Sequence, residues 1–86
     1  MYHYKTQGVC SSQINIDVED NKIKFVEFIG GCNGNLKGIC KLTQGKDIQE
    51  VIDTLQGITC GYKDTSCPDQ YATALKLIQQ EEKKRQ

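Results

Sequence analysis

The sequence has no excess of charge of either sign, no long apolar run and little histidine or proline. Its 86 residues carry 11 lysines and arginines against 11 aspartates and glutamates, which argues against a broad electrostatic contact with nucleic acid. No apolar stretch approaches the roughly 20 residues that cross a bilayer, and residues 1–7 lack the apolar centre of a signal peptide. We therefore expect one cytoplasmic domain, residues 1–86, that contacts neither a membrane nor nucleic acid.

The scarcity of histidine narrows the possible chemistry further. With one histidine, His3, the chain assembles no convincing Ser-His-Asp set. The glycine-rich turn at 31–35 lacks the Gly-Lys-Ser/Thr ending of a phosphate-binding loop. Nothing else marks a substrate pocket, so the residues alone neither predict an enzyme nor exclude one.

Cysteine, by contrast, is abundant, with five in this short chain. In a cytosolic protein such a count favours metal binding or thiol chemistry over disulfides. Four of them fall at element boundaries in glycine-containing loops, where they suit a tetrahedral zinc ion or an iron–sulfur cluster. These four candidate ligands are Cys10, Cys32, Cys60 and Cys67.

The remaining cysteine and the histidine are weaker candidates for the same site. Cys40 lies on the apolar stripe of a predicted helix, where a small core residue is the simpler interpretation. His3 can replace a thiol in a zinc site, but a lone histidine on a strand is more often an ordinary surface residue. The spacing of the cysteines does not match the C-x-x-C of zinc ribbons or thioredoxin-like sites.

The patterned segments predict an α+β fold, a three-stranded antiparallel sheet followed by two or three helices packed on one face. Alternating apolar residues predict strands at 2–6, 14–18 and 22–29, and helical spacing predicts helices at 36–43, 48–55 and 71–78. Asp20 and Asn21 predict the hairpin turn. The alternation is less regular in the third strand, which predicts either a bulge or burial of both faces near the end of that strand. Asn33 or Asn35 is expected to cap the first helix, and Asp47 to begin the second.

The stretch from 59 to 70 combines several of these signals. Pro68 suits a first helical turn, and Ser66 can cap that helix with Asp69 as a capping-box-like partner. Cys67 then lies at a helix N-terminus, where the helix dipole favours a thiolate. Cys60 precedes a glycine in a loop that can bend back toward Cys67. A redox dithiol made of these two cysteines is therefore an alternative to a metal site.

Four segments of the chain resemble the TSCPD domain family. They read GVCS at 8–11, GCNGNLKGI at 31–39, TCG at 59–61 and TSCPD at 65–69, so the resemblance covers nearly the whole chain. Small members of this family are similar to a C-terminal domain of some ribonucleotide reductases, notably cobalamin-dependent ones. The resemblance implies a metal site, with zinc as the expected ion, on the same four loop cysteines. It also implies a protein partner, for which a ribonucleotide reductase is the candidate.

The chain is too short to be a ribonucleotide reductase by itself, so a reductase activity would describe its relatives rather than this domain. A fainter resemblance is to NifU/IscU-type iron–sulfur scaffolds, whose cysteines match Cys10, Cys32 and Cys67. Ser66 stands where those scaffolds have a histidine immediately before their last cysteine. Ser11 and Ser12 stand where they have an aspartate after their first cysteine motif. This resemblance implies a NifU/IscU-like fold and adds an iron–sulfur or sulfur-carrier scaffold as an alternative function.

Overall fold

The computed structural model describes residues 1–31 and 33–84, and it confirms the α+β arrangement. A three-stranded antiparallel sheet in the order β1-β2-β3 is followed by three helices. The elements are β1 Tyr2–Lys5, β2 Ser11–Glu19, β3 Lys22–Gly30, α1 Asn33–Thr43, α2 Ile48–Leu55 and α3 Cys67–Lys84. None of the helices in the described part of the chain is long and apolar enough to cross a membrane.

The hairpin between β2 and β3 closes with the predicted two-residue turn. Asp20 and Asn21 have φ values of 54° and 64°, and Glu19 pairs with Lys22 on either side of them. Tight hairpins favour two residues with positive φ because that twist matches the twist of the strands. Asp and Asn tolerate this conformation better than most residues, which explains why this dipeptide predicted the turn.

Two register shifts between β2 and β3 decide which side chains face the helices. The first lies opposite Asp17 and Val18, where Lys24 is the extra residue of β3. As a result Ile23 and Val26, three positions apart, both turn into the core. The predicted bulge therefore accounts for the irregular pattern of β3, and the outer face of the strand stays exposed.

The second register shift lies at the start of β2 and orients a residue of the candidate site. Ser11 pairs with Gly30 and Gln13 with Ile29, which leaves Ser12 as the extra residue. Simple alternation from Ile14 would have turned Ser12 inward. The bulge instead buries Ser11, which is only 3% exposed, on the side of the sheet where the helices pack.

The core lies between one face of the sheet and the helices, as predicted. Its fully or nearly fully buried members are Ile14, Ile16, Ile23, Val26, Ile48, Val51, Ile52, Tyr71, Ala74, Leu75 and Ile78. Tyr71 is 0% exposed and contacts Phe28 edge-to-face with 5.7 Å between the ring centroids. Its hydroxyl group lies 2.9 Å from Thr43 Oγ1. Burial raises the pKa of Tyr71 well above its usual range, although the hydrogen bond with Thr43 partly opposes the shift.

The starts of the first two helices differ in how well they were predicted. Asp47 occupies the N-cap of α2 as expected. Helix α1 begins at Asn33, so Asn35 lies inside its first turn and the prediction that Asn35 caps it is wrong. The alternative cap, the side chain of Asn33, lies outside what the structure describes.

Candidate metal centre

Helix α3 begins at the candidate site, and Ser66 caps it. The Asp69 N–H donates to Ser66 Oγ at 3.2 Å, while the Ser66 hydroxyl donates to the Ile58 carbonyl at 2.6 Å. Cys67 is the first helical residue, followed by Pro68. The predicted cap and the position of Cys67 are therefore confirmed, and only 6% of Cys67 is exposed.

The loop that carries Cys60 is tied to the first turn of α3 through the Asp69 carboxylate. That carboxylate accepts hydrogen bonds from the Gly57 N–H at 2.7 Å and from the Thr65 hydroxyl at 2.6 Å. Within the loop, the Cys60 N–H donates to the Thr65 carbonyl at 3.3 Å, and the Cys60 carbonyl accepts from the Lys63 N–H at 3.1 Å. These bonds turn the loop back toward the helix, as the sequence predicted.

Gln70 holds the loop between β1 and β2 against the same helix. Its Oε1 atom accepts from the Tyr4 hydroxyl at 3.2 Å and from the Gln7 N–H at 3.1 Å, and its Nε2 atom donates to Thr65 Oγ1 at 3.0 Å. A buried glutamine with three such partners joins two loops that each carry a cysteine. Sequence reasoning missed Gln70, because only its burial on the inner face of α3 marks it.

The loop between β1 and β2 brings Cys10 into contact with Cys67. Their Sγ atoms lie 3.7 Å apart, and Ser11 Oγ lies 3.2 Å from Cys67 Sγ. Cys10 is exposed, whereas Ser11 and Cys67 are buried. Cys10 at the end of the loop, Ser11 at the start of β2 and Cys67 at the start of α3 thus form a compact group.

The glycine turn after β3 lies directly against this group. Gly31 has a φ of +82°, and a Cβ atom at this position would lie 2.9 Å from Leu36 Cδ1 and 3.2 Å from Cys10 Sγ. Only glycine allows the backbone to approach the thiol this closely at that φ. Cys32 is the next residue in the chain, and it lies outside the described residues.

Three of the four predicted ligands line one pocket. Cys10, Cys60 and Cys67 border a space of about 370 Å³ whose apolar wall includes Leu36 and Ile39. Among residues 1–31 and 33–84, however, no group of three or more His, Cys, Asp or Glu side chains is arranged to hold a metal ion. The structure therefore brings three thiols to one pocket, but it does not arrange them around a common metal position.

The two weaker candidates lie elsewhere. Cys40 packs against the core and lines a different pocket between α1 and β3, where burial raises the pKa of its thiol. His3 pairs with Asn15 across the outer face of the sheet, with 2.6 Å between its Nδ1 atom and Asn15 Oδ1. Asn15 is four residues along β2 from Ser11, a distance of roughly 13 Å in an extended strand.

The spacing of the two contacting sulfurs suits a shared metal ion. Two thiolates that each lie about 2.3 Å from one tetrahedral zinc ion have sulfurs about 3.8 Å apart. The observed separation of Cys10 and Cys67 is 3.7 Å. In a four-iron cluster each thiolate binds its own iron atom, so neighbouring sulfurs lie farther apart. The donor set, the spacing and the close approach of Gly31 are therefore compatible with zinc.

Comparison with protein families assigns the chain to a family. The model of the TSCPD domain family matches residues 2–79. The chain therefore belongs to the TSCPD domain family and is a small domain related to ribonucleotide reductases. No curated protein and no solved structure matches the chain. The likeness to NifU/IscU-type scaffolds stays a prediction.

Proposed function

We propose that this protein is a cysteine-ligated metal-binding module in which Cys10, Cys32, Cys60 and Cys67 hold one zinc ion. The observation that carries the proposal is the 3.7 Å separation of the Cys10 and Cys67 sulfurs, which is close to the edge of about 3.8 Å expected of a zinc–thiolate tetrahedron. Cys60 lines the same pocket and would supply a third thiol by moving toward the other two, because the described residues present no ready group of three ligands. The metal would stabilise the ends of β2 and α3 against each other.

Cys32 is the fourth ligand in this proposal. It belongs to the GCNG segment that resembles the family, and the residue before it, Gly31, lies against Cys10 Sγ. A fourth thiolate completes the tetrahedral coordination that structural zinc sites prefer. Thiolate ligands also require a reducing compartment, so a cytoplasmic location is part of this proposal.

We also propose that the module acts through a protein partner, with a ribonucleotide reductase as the candidate. The relation of the family to these reductases motivates the choice. The loop that carries Cys60 presents a fully exposed aromatic side chain, Tyr62, and a partly exposed Ile58. Tyrosines are enriched in protein interfaces, so in this proposal the loop is the contact region beside the metal.

The test is elemental analysis of protein purified without added metal, once in air and once anaerobically. We expect about one zinc per chain, lost in Cys10→Ser and Cys67→Ser but retained in the matched control Cys40→Ser. A brown anaerobic protein that contains iron and sulfide would favour the iron–sulfur scaffold instead. A protein that carries no metal under either condition would contradict the proposal and favour thiol chemistry.

A further inference from the structure

Cys10 and Cys67 differ in a way that suits a pair of redox-active thiols. Their sulfurs are in contact at 3.7 Å, yet Cys10 is exposed and Cys67 is almost completely buried. An exposed thiol meets an oxidant first, and a second thiol in contact can then resolve the oxidised sulfur. The contact joins residues 57 positions apart, so a bond here would link the start of β2 to the start of α3.

We propose that Cys10 and Cys67 form a reversible disulfide when the protein meets a hydroperoxide, and that this bond releases the metal. The formation of the disulfide needs the two thiols and the hydroperoxide but no metal, whereas the release of metal rests on the proposed function. The contact favours Cys10 as the partner of Cys67. The sequence had suggested Cys60 for this role, but the thiol in contact with Cys67 Sγ is that of Cys10.

The reaction balances with the hydroperoxide as the oxidant. The thiolate of Cys10 attacks one peroxide oxygen, the O–O bond breaks, and an alcohol or water leaves as Cys10 becomes a sulfenic acid. The thiolate of Cys67 then attacks that sulfur, the S–S bond forms, and hydroxide leaves and is protonated to water. Two electrons pass from the two thiols to the peroxide. A small dithiol reductant returns both sulfurs to thiols by exchange.

The disulfide would remove two ligands from the metal site together. Sulfurs joined in a disulfide are about 2.05 Å apart and no longer carry the negative charge of thiolates. Cys60 and Cys32 would then be the remaining thiolates of the set, too few for a tetrahedral zinc site. Oxidation and metal binding at this site therefore exclude each other.

The sequence makes the pairing easy to read by mass spectrometry. Cleavage after lysine places the five cysteines on five different peptides, spanning 6–22, 25–37, 38–41, 47–63 and 64–76. The full-length protein, either as purified or after reduction and chelation, is treated with one equivalent of hydrogen peroxide. Remaining thiols are alkylated before digestion, and the metal released is measured in parallel with a chromogenic chelator.

We expect most of the linked material to join peptides 6–22 and 64–76 in both preparations, and a dithiol to reverse the link. The link should persist in Cys60→Ser and be absent in Cys10→Ser, where Cys67 is alkylated instead. In the metal-loaded protein, release of zinc should rise in step with the link. The disulfide found in the unmutated protein tests the pair even if a variant folds poorly.

Other results separate this inference from the proposed function. A dominant link between 47–63 and 64–76, any other dominant pairing, or a chain that stays unlinked would overturn the Cys10–Cys67 pair. If the pair forms in a protein that never carried metal, the redox pair is supported and the zinc site is contradicted. If zinc is bound but stays bound while the link forms, the release step is wrong.

Discussion

At the scale of single residues, Ser11 has the most informative position in the site. A β-bulge at Ser12 turns Ser11 inward, and its hydroxyl lies 3.2 Å from Cys67 Sγ. Alternation along β2 predicts the opposite orientation for these two serines, because periodicity cannot show where a strand carries an extra residue. The hydroxyl group can donate a hydrogen bond to a thiolate at Cys67 and fix the direction of that ligand.

Removing the Ser11 hydroxyl should therefore weaken metal binding. We expect Ser11→Ala to lower the affinity for zinc about 10- to 100-fold, the range typical of groups that orient a metal ligand. Ser12→Ala is the matched control, since Ser12 is exposed and its hydroxyl donates to the Ile29 carbonyl. Competition with a chelator of known affinity measures both variants. Equal affinities for the two would show that Ser11 does not act on the site.

Tyr71 should make the fold sensitive to alkaline pH. Burial raises its pKa in the folded protein, so above about pH 10 the unfolded tyrosine releases its proton while the folded one keeps it. The free energy of unfolding should then fall by up to about 1.4 kcal/mol per pH unit from this group. Urea unfolding between pH 9 and pH 11, with reduced thiols, measures the slope.

The Tyr71→Phe variant tests the source of that slope. It removes the ionisable hydroxyl but keeps the buried ring, so the loss of stability above about pH 10 should become shallower. Tyr62→Phe is the control, because Tyr62 is fully exposed. An unchanged slope in Tyr71→Phe would show that another group causes the alkaline loss.

At the scale of elements, the first turn of α3 organises the site by holding two loops. The capping residue Ser66 was predictable from the sequence, because a serine before Cys-Pro-Asp is a local signal. The role of Gln70 was not, because its partners Tyr4 and Gln7 lie 66 and 63 positions away in the chain. The contact of Cys10 with Cys67 could not be predicted for the same reason, since no local pattern encodes a contact across 57 positions.

Replacing Gln70 should loosen both loops together. Gln70→Ala removes the three hydrogen bonds that a buried amide makes, so we expect a loss of roughly 1–3 kcal/mol in the free energy of unfolding. Gln79→Ala is a control on the same helix, because the hydrogen bond from Gln79 to Gln49 is exposed. Urea titration of metal-free, reduced protein separates this effect from metal binding. Similar losses in the two variants would contradict the role given to Gln70.

At the scale of the whole molecule, in this account a small core and a thiol site both contribute to the stability of the fold. An 86-residue domain buries only about 60–65% of its unfolded surface, so a structural metal adds much to its stability. The α+β order and the helices were predictable because they rest on local periodicity, and the hairpin turn because it rests on a local dipeptide. Whether four thiols meet depends on the bulges and loop contacts that bring distant segments together.

The central claim, that a metal holds the ends of β2 and α3 together, is tested most directly by a thermal melt before and after chelation. Structural zinc in small peptides supplies about 10–16 kcal/mol of apparent binding energy, so chelation should lower the melting temperature sharply. Cys67→Ser should melt near the chelated protein. Cys40→Ala should lose only about 1–2 kcal/mol, the cost of a small, partly buried group, and should keep its metal. If chelation leaves the melting temperature of the unmutated protein unchanged, the metal does not hold this fold together and the account is wrong.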